Sequence, residues 1–322
     1  MAFNEMIHEA IQILIWAVGV IAFVTVNALA LVYVERKVSA HIQRRLGPMH
    51  VGPHGLLQTI ADAVKLVSKE QIIPKNVDKF LFLIAPILAF FPVLVLFVVM
   101  PFAPNLIVRD LNIGVLYVFS FASMEVIAIF MAGWSSNNKY SLLGAMRSVA
   151  QVISYEVPLL LSVLSVILMI GSLKMSEVVQ YQDKIWVIVL QPIAFIIFML
   201  GGIADTNRAP FDIPEAESEL VAGFHTEYSG MRFALFFLAE YSNVFLVSCA
   251  ATALFLGGWY GPFVNGVHWF LLKVYALVFV IVWIRWTFPR LRPDQLMNFC
   301  WKILTPIAII NLLITGLVLK LV

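Results

Sequence analysis

The chain has 322 residues, of which 61% are hydrophobic and only 12% charged. A soluble domain carries roughly twice that share of charge, so a water-soluble class is excluded and an all-α integral membrane protein is indicated. With 21 Lys and Arg against 19 Asp and Glu, the formal charge of +2 points neither to a nucleic-acid surface nor to a polybasic module that skims a membrane.

Eight stretches of about 19 to 24 residues match a hydrocarbon core of roughly 30 Å at a helical rise of 1.5 Å per residue. They are Ile11–Val34, Phe80–Phe102, Ile113–Trp134, Val149–Ile170, Ile185–Ile203, Phe233–Leu256, Trp269–Phe288 and Ile303–Leu321. The first is too long for a removable signal peptide, and it lacks a basic n-region and a small-residue cleavage site, so it is expected to be retained. The runs are apolar on all sides, without the period-2 alternation of a membrane barrel. They form one polytopic domain over residues 1–322, with no soluble domain or internal repeat.

The loops after the first, third, fifth and seventh spans, together with Arg285 at the inner end of the seventh span, hold sixteen of the 21 basic residues. By the positive-inside rule these loops face the cytoplasm or a mitochondrial matrix, and both termini lie on the opposite side. Two inside loops, 35–79 and 204–232, are far longer than a helix connection requires, which marks them as functional. In the first, Leu56, Leu57, Ile60, Val64 and Val67 share one helical face and Gln58, Asp62, Lys65 and Lys69 the other. About 17 residues with this much charge form an amphipathic helix lying in the membrane interface, ended by Pro74.

Three carboxylates interrupt the spans: Glu125 in the third, Glu156 in the fourth and Glu240 in the sixth. An ionised group at membrane depth costs at least a few kcal/mol, so each must face protein, water or a partner, or be protonated. Counting from Trp134, Ser148 and Arg232, each lies roughly 12 to 14 Å inside the inner boundary. Acids at one level on three helices would share a polar cavity and raise one another's affinity for protons. The bland alternative is that each fixes helix packing through hydrogen bonds. Pro158 and Pro192 either free backbone carbonyls as polar partners or simply kink their helices.

The second long loop is acidic. Asp212 and Glu215 have capping-box spacing with Pro214 in the first turn, so a short helix is expected there, ending at Gly223 and carrying Glu215, Glu217 and Glu219. With Asp205 and Glu227 the loop holds six acids against Arg208 and Arg232. Taken alone this is a solvated face; beside the buried acids it would be a proton entry or a charge-sensing element.

Several of these residues also carry a resemblance. Glu35-Arg36-Lys37, Gln43-Arg44-Arg45-Leu46-Gly47-Pro48, Gly55-Leu56-Leu57-Gln58 and Ala61 to Leu66 resemble the first inside loop of the H-subunit family of proton-pumping NADH:quinone oxidoreductase, also called respiratory complex I, whose mitochondrial member is subunit 1. Ser154-Tyr155-Glu156-Val157-Pro158, the run Asp205 to Glu219, and Phe236 to Tyr241 match the same family, over about Val34 to Pro293.

The resemblance implies eight spans in a subunit joining the membrane arm to a peripheral electron-transfer arm. Quinone, ubiquinone or menaquinone, would be the substrate, and the terminal iron-sulfur cluster, other clusters and FMN would sit in partner subunits. Two cysteines, Cys249 and Cys300, lie 51 residues apart, which excludes a cluster or zinc site built by this chain alone. By carry-over, Arg36, Arg44, Arg45, Asp62, Lys65, Phe224 and Arg232 would line the quinone chamber. The proton relay would comprise Asp205, Glu215, Glu217, Glu219, Glu227, Glu240, Glu156 and Glu125, passing its effect to neighbouring small and antiporter-like membrane subunits. The family usually has glutamate where this chain has Asp205, which keeps the carboxylate and shortens its reach.

Three rivals stay open on the sequence. A membrane anchor of an energy-converting hydrogenase complex shares spans and some acids, but the dense first-loop motif favours the quinone-linked form. A self-contained ion-coupled transporter predicts paired broken helices in repeated halves, and a plain anchor leaves the buried acids without purpose. His41, His50 and His54 lie in or before a Pro/Gly-rich loop and are not spaced as metal ligands on a helix. Gly257 to Gly261 lacks a dinucleotide or phosphate-loop pattern, so it is taken as an outer connection and NADH is expected to bind elsewhere. Lys174, Lys184, Lys273 and Lys320 sit near helix ends and are expected to snorkel.

Overall fold

The computed structural model describes residues 2–214 and 217–321. Among these the regular elements are all helices, without a strand, and seven helices are long and apolar enough to cross a membrane. In chain order they are α1 (Ala2–Ile42), α3 (Lys79–Phe97), the pair α4 (Gly114–Ala122) and α5 (Met124–Ser135), α6 (Lys139–Ile170), α11 (Gly230–Phe255), α12 (Val267–Thr287), and α13 (Pro293–Phe299) running through a π-helical turn (Cys300–Leu304) into α14 (Thr305–Leu321). Between them lie α2 (Gln58–Ser68), α7 (Met175–Tyr181), α8 (Val187–Leu190), α9 (Pro192–Asp205) and α10 (Glu217–Leu220).

The starts and stops follow local chemistry. Asp78 accepts from the backbone N–H groups of Phe80 and Leu81 to cap α3, and Asn138 accepts from that of Tyr140 to cap α6. Gly171, at φ +78°, ends α6 in the left-handed conformation that a residue without a Cβ adopts at little cost. The hub of the bundle is α6, packed against α5, α9 and α14, while α11 packs against α1, α3, α9 and α12. Phe23, Phe97, Phe102, Phe245, Phe270 and Tyr275 interlock where α1, α3, α11 and α12 meet.

Several expectations change in detail. The first helix does not stop at Val34 but continues to Ile42, so Glu35, Arg36 and Lys37 sit on a helix and face fixed directions. The third span is interrupted at Ser123, whose hydroxyl donates to the carbonyl of Phe119. The stretch expected as a fifth span, 185–203, is not one helix. Gln191 separates the four residues of α8 from α9, whose 14 residues begin at Pro192. Proline disfavours helical backbone in the residue before it, which is why the break falls there.

In the first inside loop, the helix covers the 11 residues of α2 instead of about 17, preceded by a 3-10 turn at Pro53–Gly55. Its apolar side chains Ile60, Val64 and Val67, and Leu56 and Leu57 just before it, are all exposed. Of the helix expected from Asp212 to Gly223, the described residues show α10 and a 3-10 turn at Gly223–His225, and Glu215 lies outside them. Lys273 does not snorkel. Its Nζ turns inward to donate to the carbonyls of Leu256, Gly258 and Tyr260 and lies 4.3 Å from the Trp186 ring centroid. There it closes the end of α11, where carbonyls lack helical partners.

Candidate functional site

The buried charges begin on α1. Glu35, with 7% of its side chain exposed, lies 2.5 Å from Arg285 Nη1 of α12 and 3.4 Å from Arg208 Nη1 just beyond α9. Arg208, 3% exposed, also places Nε 3.0 Å from Glu240 Oε1 of α11, and its guanidinium lies 4.3 Å from the Tyr241 ring centroid. Four helical columns therefore meet through two carboxylates and two guanidiniums. Such pairs balance desolvation only when all partners are present, so each member depends on the others. The planar fork of arginine lets one side chain serve both acids.

Next to this network lie two cavities. One, of about 120 Å³, is bordered by Glu240, Arg208, Arg285, Asn207, Phe224 and Glu125. The other, of about 50 Å³, is bordered by Glu125, Glu156, Asp205, Asn243 and Ser123 among apolar neighbours. Both exceed the roughly 10 to 15 Å³ that one water requires, and their polar groups offer it partners. Glu125 faces both. It accepts a hydrogen bond from Asn243 Nδ2, and Glu156 accepts one from Ser123 Oγ. The break at Ser123 thus positions a donor beside Glu156 and turns Glu125 inward, one residue into α5.

The three intramembrane acids lie beside these cavities but do not share one. Glu125 and Glu156 border the smaller cavity, while Glu240 borders the larger. Asp205, read as the first acid of the inside loop, is the last residue of α9 and faces Glu125 and Glu156 across the smaller cavity. Asn207, at φ +51°, anchors this end of α9. Its Oδ1 accepts from Ser148 and Gln151, and Gln151 also donates to the Ala204 carbonyl at 2.8 Å.

Of the remaining loop acids, Glu219 is exposed and Glu227 half-buried. Glu219 accepts from Arg147 at 2.6 Å, and that contact holds its carboxyl below the usual range. Glu227 accepts from Asn138 Nδ2 at 2.7 Å. Glu217 lies in α10 and Glu215 outside the described residues. The turn at 223–228 rests on α5 and α6: Ser141 Oγ donates to the carbonyls of Gly223 and Phe224, and Tyr228 stacks on Phe82 at 4.1 Å. Burial pushes the His225 imidazole down to about 4 and the Tyr228 phenol up to about 12.

The residues carried over to the chamber fall into separate groups. Arg36 pairs with Asp62 of α2 at 2.5 Å, and Gln58 donates to the other oxygen of that acid at 3.0 Å. Arg44 has φ +53° and Arg45 donates to Gln43, both exposed past the end of α1, and Lys65 is exposed on α2. Arg232 lies 5.7 Å from the Phe82 ring centroid, with Nη1 buried and without a hydrogen-bond partner among the described residues. Phe224 alone of the set borders a cavity with the buried acids. Inspection of the sequence missed Glu35, Arg285 and Asn243. Asn243 carried a signal, because it follows Glu240 by one helical turn in an apolar run.

A family model described as NADH dehydrogenase matches residues 15–316. The chain is 50% identical over 318 residues to a protein of Carboxydothermus hydrogenoformans, covering 98% of this chain and 91% of that one. It is 52% identical over 306 residues to one of Dehalococcoides mccartyi, covering 95% and 86%, and 50% identical over 320 residues to one of Desulfotalea psychrophila, covering 95% and 96%. Each of these relatives is named as the H-subunit of NADH-quinone oxidoreductase.

Proposed function

Because the chain belongs to the NADH dehydrogenase family as an H-subunit of the membrane-bound NADH-quinone oxidoreductase, complex I, we propose that it forms the quinone access chamber and couples quinone reduction to proton translocation. The observation that carries this is a run of charged and polar side chains from one end of the bundle to its middle. It starts at Glu35, which directly precedes in sequence the Arg36 paired with Asp62, and passes through Arg208 to Glu240, across the larger cavity to Glu125, and across the smaller one to Glu156 and Asp205.

In this account the chain is one polytopic domain of eight crossings, with α8 and α9 as the fifth. The long loops face the cytoplasm and the termini lie outside. The exposed apolar face of α2 lies on the bilayer, where it would guide an isoprenoid tail toward Arg36, Asp62 and Lys65. Arg44, Arg45, Phe224 and Arg232 complete the chamber together with peripheral-arm subunits, which supply the terminal iron-sulfur cluster. FMN and the other clusters also belong to partners. Cations beside a headgroup gaining negative charge stabilise its reduced forms, and apolar walls hold the tail.

Reduction of a quinone takes up two electrons and two protons, so it alters the charge felt by Asp62 and Arg36. Arg36 directly follows Glu35 in sequence, so its charge acts on Glu35 through the field and not through a side-chain contact, and Arg208 is shared between Glu35 and Glu240. A change at one end therefore redistributes the guanidinium between two acids and shifts where protons reside on Glu240, Glu125, Glu156 and Asp205. Glu215, Glu217, Glu219 and Glu227 provide the aqueous entry. Neighbouring antiporter-like subunits receive the effect and move ions.

Glu156→Gln and Glu240→Gln test this in the intact complex. Each should leave the assembly present while lowering inhibitor-sensitive quinone reduction and proton pumping together. Full turnover in both variants would remove the relay from the account.

A further inference from the structure

At the end of the bundle that carries the two long loops, α3 and α6 begin side by side against the end of α5. Between them lie two adjoining depressions of about 380 and 430 Å³, which share Asn76, Asn137, Asn138 and Lys139. Lys75 and Glu227 line the first and Asp78 the second. Apart from Glu227, no residue here belongs to the carboxylate relay or to the quinone chamber proposed above. Lys75 and Lys139 are exposed, and neither makes an ion pair among the described residues.

The surroundings place this hollow at the level of lipid headgroups. Trp134 and Tyr140 flank it and are 58% and 52% exposed, as residues favoured at a membrane boundary would be. Below it, exposed apolar side chains continue along α3 (Phe80, Leu83, Ile87) and α5 (Phe130, Ile127), a surface suited to acyl chains.

The charge pattern narrows the headgroup. Two unpaired ammonium groups suit a phosphodiester, and the capped start of α6 adds a favourable dipole. Carboxylates stand beside them: Glu227 accepts from Asn138 through Oε1 and Asp78 caps α3 through Oδ1, so a second oxygen of each remains. A headgroup that is only anionic would be repelled by these acids. A choline group has no N–H to give them. We infer that the hollow between α3 and α6 binds a phosphoethanolamine headgroup, its phosphate held by Lys75 and Lys139 and its primary ammonium by Glu227.

The test uses the purified complex in nanodiscs of phosphatidylcholine containing a small share of phosphatidylethanolamine with a photoreactive acyl chain. Mass spectrometry then locates the labelled peptides. Labelling should fall on residues 74–87 and 127–143, and unlabelled phosphatidylethanolamine should compete for it better than phosphatidylglycerol or inorganic phosphate. Replacing Lys75→Ala and Lys139→Ala together should weaken labelling about thirtyfold, corresponding to about 1 kcal/mol per lysine near a membrane surface. Lys139→Arg should retain it, and Glu227→Gln should abolish the preference for ethanolamine over glycerol. Equal competition by phosphatidylglycerol, displacement by inorganic phosphate, labelling indifferent to loss of both lysines, or no labelling of these peptides would each overturn the assignment.

Discussion

Arg208→Met probes the junction of the buried charge network at nearly constant volume. The guanidinium is 3% exposed and serves Glu240 at 3.0 Å and Glu35 at 3.4 Å, so its removal leaves two acids short of a partner. Taking one member from a buried pair costs about 3 to 5 kcal/mol. Two features bring the expected loss to the lower end. Arg285 still holds Glu35 at 2.5 Å, and Glu240 borders a cavity of about 120 Å³ where water or a proton can relieve it. A loss of about 3 kcal/mol, at roughly 2 °C per kcal/mol for a chain of this size, lowers the midpoint of thermal disassembly by about 6 °C. That midpoint is read from the fraction of intact complex left after heating, on native gels. Adding Glu240→Gln removes the stranded charge and should restore about half of the loss, a coupling of about 1.5 kcal/mol. A midpoint within about 1 °C of wild type for Arg208→Met would refute the argument. So would a double variant less stable than the single one.

Two further substitutions address the turn that closes the larger cavity. A Cβ at Gly144 would stand 2.8 Å from Gly223 Cα and 3.0 Å from Phe224 N. These are backbone atoms that cannot rotate away, so Gly144→Ala should cost about 1 to 3 kcal/mol and speed hydrogen exchange over residues 221–229, and unchanged protection would contradict it. His225 is neutral in the docked turn, with its proton affinity pushed down to about 4 from 6.5. Above pH 6.5 the docked turn therefore has its full stability. Between 6.5 and about 4 the undocked form gains a proton that the docked form refuses, so stability is lost as pH falls, by about 3 kcal/mol in all. Exchange over the same residues, corrected for intrinsic rates, should rise from pH 7 to pH 5 in the wild type and stay flat in His225→Phe; an identical rise in both would exclude His225 as the cause.

The all-helical membrane class was legible because burial in lipid needs long apolar runs, and 61% hydrophobic composition leaves few alternatives. Counting residues inward from Trp134, Ser148 and Arg232 led to Glu125, Glu156 and Glu240, since helical rise is regular. The partners of those acids were not legible. Arg208 was visible only as a loop cation and Arg285 drew no reading beyond the count of basic residues, because what each meets depends on how α1, α9, α11 and α12 are placed against one another. Glu35 was assigned to a loop for a related reason: nothing in Val34 to Ile42 is apolar enough to mark a span, yet the helix continues through it. The break at Gln191 did have a signal in the proline that follows, although a proline there fits a simple kink equally well.

That break has a consequence for how the polypeptide is made. At 1.5 Å per residue the 14 residues of α9 reach only about 21 Å, short of a bilayer's oily width. The preceding segment relies on borrowed partners: Gln182 donates to the Ala253 carbonyl of α11 and accepts from the Val187 amide, while Gln191 donates to Thr315 and accepts from Asn311, both on α14. If α8 and α9 make the fifth crossing proposed above, this stretch would carry the side-chain amides of Gln182 and Gln191 into oil before residues 305–321 had been synthesised. On that reading its final seating waits for the last helix, whose Asn311 and Thr315 satisfy Gln191.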